Sequence, residues 1–328
     1  RSSRVHPGRT GFLLRITSLP RTWRAAALAV LPALAACGGG DASPRPAVPE
    51  SAASAPVQVT DDAGRVVRLD RPAARIVSLI PSATDLLVAM GAREQLAGRT
   101  EFDQDPGLAS LPSVGGGLDP SLEALVALRP DLVISFETQD DAALRTRLRE
   151  LGIPVYGLAA QDTADVYRAL ANLGTLAGRR PAADSVAGAV RAELESVRRS
   201  VAGRPAPTVL YVAWVDPPMV AGPGTFLAEL VRLAGGTPVF EDVKQEWPQV
   251  SIEEIVSRRP QVVVIPAGAG AEFTADALRA APGWRELTAS PGTRVAEVPV
   301  AVVNRPGPRL GEAARALREA IHPELAAP

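Results

Sequence analysis

Residues 121–134, SLEALVALRPDLVI, return 130 positions later as SIEEIVSRRPQVVV at residues 251–264. Six of the fourteen positions are identical: Ser121/Ser251, Glu123/Glu253, Val126/Val256, Arg129/Arg259, Pro130/Pro260 and Val133/Val263. Four of the other eight exchange one aliphatic residue for another. A unit that recurs once at this distance constrains topology, because it implies two similar lobes and not a short-period solenoid. Each copy also sets a glutamate, Glu123 or Glu253, in the first turn of a helical pattern. The helix dipole stabilises a carboxylate there by about 0.3–1 kcal/mol, but that preference does not account for the matched neighbours.

Around these units, short aliphatic runs alternate with helical patterns. Val57 to Leu69 alternates about Asp62-Ala63-Gly64 as a β-hairpin does. Strands are predicted at 75–80, 131–136, 155–158, 208–214, 261–266 and 294–298. Helices are predicted from Pro81 to Gly91, from Asp119-Pro120 to Pro130, and over 140–151, 163–177, 181–201, 226–233 and 311–321. Asp119 reads as the cap of the second helix, and Ser251 with Glu254 as a capping box for its counterpart. Over 181–201, Val186, Val190, Leu194, Val197 and Val201 make one apolar stripe. Continuous aliphatic strands between helices argue for α/β architecture, with parallel sheets covered on both faces. The order is lobe, long helix, lobe, and such a stiff connection implies modest closure around a ligand.

The totals exclude much. The 328 residues carry a net charge of −1, so no bulk electrostatic argument favours nucleic acid. The only histidines are His6 and His322, near the two ends of the sequence, which leaves no imidazole for a core metal site or a Ser-His-Asp triad. The single cysteine, Cys37, excludes an internal disulfide. Arg15, Arg21 and Arg24 precede the apolar run Ala25–Ala36, which is too short to span a bilayer and suits a signal-peptide core. Its end, Leu34-Ala35-Ala36-Cys37-Gly38, looks like a lipobox whose thiol would be acylated. The Gly-, Ala-, Ser- and Pro-rich stretch that follows reads as a tether. The expected organisation is a lipoprotein signal at 1–37, a tether at 38–56, an N-terminal lobe at 57–180, a linking helix at 181–203 and a C-terminal lobe at 204–328.

Ligands of open α/β sheets bind beyond the carboxyl ends of the strands. Gly268-Ala269-Gly270 lies between a strand and a helix, but Phe273 stands where a dinucleotide loop needs glycine, so a turn is the better reading. Gly115-Gly116-Gly117 has no following lysine and is not a phosphate loop. The few aromatics are placed suggestively. Phe102, Trp214 and Trp247 all fall at strand-end loops, where they could wall a ligand site or plug their own lobe's core.

The tract Trp247-Pro248-Gln249-Val250-Ser251, its helix and Arg259-Pro260-Gln261-Val262-Val263-Val264 resemble the cobalamin-binding periplasmic proteins of bacterial ABC importers. The resemblance extends to Arg75–Leu79 with Pro81-Ser82-Ala83-Thr84, Leu122-Glu123 through Pro130–Ile134, Asp216-Pro217-Pro218 and Pro308-Arg309. It covers nearly everything from Val57 to Ile321, in the same order. It implies two Rossmann-like lobes, each with a central parallel sheet, joined by a single long backbone helix. The wider superfamily binds cobalamin, ferric siderophores and haem.

The resemblance also implies roles. Glu123 and Glu253 match the lobe glutamates that dock onto arginines of the two permease subunits. Trp247 matches a pocket tryptophan, Phe102 falls where the family has a pocket tyrosine, and Arg305 matches another pocket position. Pro81, Ser82 and Trp214 complete the expected ligand wall. Gly117 stands where the cobalamin binder has a tryptophan, and Met219 replaces an aromatic.

The expectation is therefore a non-enzymatic, extracytoplasmic, lipid-anchored monomer that captures cobalamin or a related corrinoid. It would deliver this ligand to an ABC permease dimer with its ATPase subunits. No cofactor or metal of its own is expected, since the ligand would carry its cobalt. A ferric-siderophore or haem binder is the alternative, and a secreted α/β enzyme a second one. Haem would need Tyr156, Tyr167 or Tyr211, all predicted inside strands or helices.

Overall fold

A computed structural model describes residues 55–138, 142–159, 162–268 and 274–325. Cys37, the expected signal segment at 1–37 and most of the expected tether lie outside these residues. The chain from Ser51 onward is one compact unit.

Its N-terminal part opens with an antiparallel hairpin, β1 (Val57–Thr60) and β2 (Val66–Leu69), turned at Gly64, whose φ of 78° suits glycine. There follow β3 (Ile76–Ser78), α1 (Pro81–Ala89), β4 (Leu96–Gly98), α2 (Leu122–Ala127), β5 (Leu132–Phe136), α3 (Ala142–Glu150) and β6 (Val155–Leu158). The sheet order is β4-β3-β5-β6, all parallel. Alternate residues of its strands enter different cores. Ile76, Leu132 and Ile134 join one cluster, while Val77 and Val133 join another with Leu125 and Leu148. Burial on both faces is what the unbroken aliphatic runs require.

The helices α4 (Thr163–Leu176) and α5 (Arg180–Ser200) then lead to the second lobe. That lobe comprises β7 (Thr208–Val215), β8 (Pro218–Val220), α6 (Phe226–Leu233), β9 (Thr237–Pro238), α7 (Ile252–Arg258), β10 (Val262–Ala267), α8 (Ala275–Ala280), α9 (Trp284–Thr288), β11 (Arg294–Pro299), α10 (Val300–Val303) and α11 (Leu310–Ile321). Its sheet runs β11-β10-β7-β8, with β9 also paired to β7. All these pairings are parallel except that of β8, which folds back antiparallel on β7. Pro217 and Pro218 concealed β8 in the sequence; the structure accommodates Pro218 as the first residue of an edge strand, where proline is tolerated.

The apolar stripe on α5 joins the lobes. Val190, Leu194 and Val197 are buried in a cluster that also holds Leu170 and Leu173 of α4 and Leu317 of α11. The core is thus continuous through the linking helix, which gives the two lobes a stiff connection.

Both copies of the repeated sequence fold into the same joint. From Ser121 to Pro130 and from Ser251 to Pro260 the positions share the same degree of burial one by one. The Ser121 hydroxyl accepts from the Ala124 amide at 3.2 Å, and that of Ser251 from the Glu254 amide at 3.1 Å. Asp119 is therefore not the cap of α2. The helix starts two residues later, at a serine matched to Ser251. Glu254 completes no capping box either, because its carboxylate turns down the helix to Arg258 at 3.1 Å. After the helix, the Asp131 carboxylate accepts from the amides of Ala74 and Arg75, each at 2.9 Å, and Gln261 Oε1 accepts from the Thr208 amide at 2.9 Å. The unlike pair Asp131/Gln261 thus does one task, tying the start of a neighbouring strand. Where Leu128 packs against its lobe's core, Arg258 lays its guanidinium over the Phe240 ring, 4.3 Å from the centroid.

Candidate functional site

The carboxyl ends of β3, β5 and β6 carry Pro81, Ser82, Phe136, Glu137 and Leu158 to one wall of a cleft of about 440 Å³. The facing wall is made by Phe226 at the start of α6 and by Asn304, Arg305 and Pro306 after α10. A second chamber of about 420 Å³ shares Phe226 and Asn304 with the first and is walled by Tyr211, Ala213, Met219, Leu227 and Trp247. The two chambers are thus contiguous, with apolar and aromatic surface drawn from both lobes. A third, of about 400 Å³, lies on the far side of Arg305, which lines both it and the first.

The polar groups of the cleft are held from behind. Glu137 Oε1 accepts from Arg145 Nη2 at 2.9 Å, and Arg65 grips Oε2. Arg145 is itself buried and also donates to the carbonyls of Phe136, at 2.5 Å, and Thr138, at 2.9 Å. This fixes the end of β5 and neutralises the one carboxylate in that wall. In the second chamber, Tyr211 Oη donates to Asn304 Oδ1 at 2.6 Å, and burial pushes the phenol up from its ordinary pKa. Among the described residues, no group of three His, Cys, Asp or Glu side chains is placed to hold a metal ion.

The sequence-predicted wall residues divide. Pro81, Ser82, Arg305, Met219 and Trp247 line the chambers. Trp214 does not: it stands half-exposed on β7, opposite Met219 in register, and its Nε1 donates to the Asp216 carbonyl at 2.9 Å. Phe102 exposes its ring and contributes its carbonyl, which accepts from Arg305 Nη2 at 2.9 Å. Gly117 sits one layer behind the wall. A Cβ there would lie 2.4 Å from the Leu79 carbonyl and 3.5 Å from the Phe136 ring, so this backbone path admits no side chain.

Sequence reasoning missed Phe136, Glu137, Tyr211 and Phe226, whereas Asn304 opens a loop, 304–309, expected at the site. Tyr211 lies inside its strand as expected, yet it lines the chamber together with Ala213, two residues on, while Val212 between them enters the core on the other face of the sheet. The period of two along β7 was the available signal. His322, the one histidine in the described residues, is buried beside the Gly235 carbonyl, with Nε2 at 3.3 Å, and belongs to no chamber.

Glu123 and Glu253 are both exposed in the first turns of α2 and α7, and neither carboxylate has a partner among the described residues. Beside them, Val126 and Val256 are 39% and 38% exposed, so the matched helices offer matched apolar surface as well. Each helix starts on the side of its sheet where the strands end, the same side as the cleft residues. No helix among the described residues is long and apolar enough to cross a membrane.

Comparison with known proteins agrees with this geometry. Over 283 residues the chain is 32% identical to a cobalamin-binding protein of Halobacterium salinarum, covering 83% of this chain and 76% of that protein. It is 27% identical to an uncharacterised ABC transporter substrate-binding lipoprotein of Bacillus subtilis, over 92% of this chain and 96% of that one. A periplasmic haem-binding protein of Pseudomonas aeruginosa superposes with a TM-score of 0.66 at 27% identity, covering 78% of this chain and 95% of that one. Residues 76–301 match the family described as periplasmic binding protein, and with two α/β lobes, one linking helix and a cleft at the strand ends, the chain belongs to that family.

Proposed function

We propose that this protein captures cobalamin or a related corrinoid between its lobes and delivers it to the permease of an ABC importer, and that Cys37 anchors it to the outer side of a membrane by a lipid. One observation carries the ligand assignment. The contiguous chambers present Trp247, Tyr211, Phe226, Phe136 and Met219 to a ligand, and the described residues offer it no metal-ligating cluster. Broad apolar contact with few polar groups suits a large ligand whose metal arrives fully coordinated. The name of the Halobacterium relative supports the same choice.

The matched carboxylates supply the delivery half of the reading. A partner with two like subunits meets like surfaces on the two lobes, and Glu123 and Glu253 are exposed carboxylates at equivalent positions. Each helix keeps its serine cap and its dipole whether or not the carboxylate is engaged, so docking costs the lobes no rearrangement.

Haem is the second reading, favoured by the likeness to the Pseudomonas haem binder. It would need an iron ligand from the wall, and Tyr211 is the available phenol. Its hydroxyl is already bonded to Asn304, and burial opposes the phenolate that iron prefers. Calorimetry on the protein from Gly38 onward decides between them. The expected result is binding of cyanocobalamin at about micromolar affinity or tighter, with weaker binding of haem and ferric siderophores. Tight binding of haem or of a siderophore, without heat from any corrinoid, would overturn the assignment.

A further inference from the structure

Arg305 leaves the loop after α10 and crosses to the opposite lobe. Its Nη2 donates to the Phe102 carbonyl at 2.9 Å, and its Nη1 lies 3.5 Å from Asp85 Oδ2 on α1. The same residue lines the 440 Å³ chamber and the 400 Å³ chamber, so it borders both. Two residues on, Gly307 runs beside the Ser82 carbonyl, at ordinary contact distance for an added Cβ. The loop from Asn304 to Arg309 is thus pressed against the start of α1, with Arg305 as its charged contact.

The other charges near Asp85 are committed elsewhere. Arg309, on the same loop, donates Nε and Nη2 to the one oxygen Oε2 of Glu312, at 3.0 and 2.6 Å. Asp105 is bidentate to Arg93, and Asp103 accepts from the amide and hydroxyl of Thr100. Arg305 is the cation in contact with Asp85. Burial raises the Asp85 carboxyl above its ordinary pKa even so, with Arg305 opposing the rise. A carboxylate drawn out of water is costly unless a cation meets it, and removing that cation costs more than the pair was worth.

We propose that Arg305 is an interlobe strut and the positioning residue of the cleft: it neutralises Asp85 and ties its loop to the Phe102 carbonyl, so at this edge of the cleft the spacing of the two walls is held by its guanidinium. Because that guanidinium also faces the ligand chamber, a ligand with acceptor oxygens at this edge competes with Asp85 and Phe102 for it. Occupancy and lobe spacing are thereby coupled. Only this coupling rests on the cleft being the ligand site; the strut acts in the empty protein.

The test is made without ligand. Spin labels at Glu150→Cys on α3 and Ser257→Cys on α7, in a Cys37→Ser background, report the interlobe distance by double electron–electron resonance. Arg305→Met should lengthen and broaden the distribution, and Arg305→Lys should do so less. Adding Asp85→Asn to Arg305→Met should restore it toward the parent, because the stranded carboxylate is gone. An Arg305→Met distribution that coincides with the parent, or an Asp85→Asn effect of equal size in both backgrounds, would sink the proposal. If Arg305→Met does not fold, Arg305→Lys with and without Asp85→Asn carries the same comparison. Calorimetry with cyanocobalamin on the parent is read separately, so a failure to bind overturns the ligand reading and leaves the strut result standing.

Discussion

Arg129 and Arg259, 130 positions apart, share the left-handed backbone conformation, with φ of 46° and 50°. They are the only non-glycine residues among those described with positive φ. Each ends the helix of its repeat and is followed by a proline that cannot continue it. The left-handed region costs an L-residue about 1 kcal/mol, from which glycine is exempt. Arg259→Gly should therefore raise unfolding stability by up to roughly 1 kcal/mol, less what glycine's added freedom in the unfolded chain takes back. Arg129→Gly should gain a similar amount, because its φ is closely matched and each carbonyl accepts a side-chain donor, Arg75 Nε at 3.3 Å for Arg129 and Thr208 Oγ1 at 3.4 Å for Arg259. Urea unfolding of the two single variants checks both gains.

Trp247 and Trp214 separate a wall residue from a surface one. Trp247→Ala should weaken corrinoid binding about tenfold or more, since it removes a large apolar face from the second chamber. Trp214→Ala should leave affinity nearly unchanged, because that ring lines neither chamber. Equal losses in calorimetry would mean that the ligand reaches beyond the described walls.

Exchanging Glu123 and Glu253 together for Ala should spare corrinoid binding while abolishing uptake in cells that depend on the importer. The stability cost should be small, about 0.3–1 kcal/mol for each lost helix-dipole contact. A double variant that unfolds would show that the carboxylates serve the helices and not a partner.

Gly117 is a packing constraint, and Gly117→Ala should lower stability by roughly 1–3 kcal/mol through overpacking against the Leu79 carbonyl. The loss should appear in the thermal midpoint. A neutral result would mean that the loop can retreat from β3.

Burial raises the Tyr156 phenol to about 12, with its hydroxyl oxygen accepting from Asn172 Nδ2 at 3.0 Å. The group is neutral when protonated, and its folded pKa exceeds its unfolded value near 10. Its contribution is therefore fully present below about pH 10 and is lost as pH rises toward about 12. Denaturant unfolding across that window should show a steeper alkaline decline for the parent than for Tyr156→Phe. Parallel curves would place the loss elsewhere.

Much of the architecture was legible because it is local. The stripe on α5, the unbroken aliphatic strands, Gly91 with its φ of 76° after α1 and the serine before α7 are each set by neighbours within a few residues. The errors were local competitions as well. Asp119 and Ser121 both qualify as caps, and the chain used the one its repeat also uses. Glu254 could reach back to its cap or forward to Arg258, and the cation won.

By itself, then, the sequence determined two α/β lobes, a helix between them and a matched carboxylate on each, because hydrophobic period and repetition survive without knowledge of distant contacts. The tertiary structure alone decided which side chains meet. Tyr211 and Asn304 are 93 positions apart and bond at 2.6 Å, and Arg305 spans 203 positions to the Phe102 carbonyl. No local pattern encodes such pairs. They arise only when the fold is complete: within the C-terminal lobe for Tyr211 and Asn304, and across the two lobes, joined by the continuous core through α5, for Arg305 and Phe102.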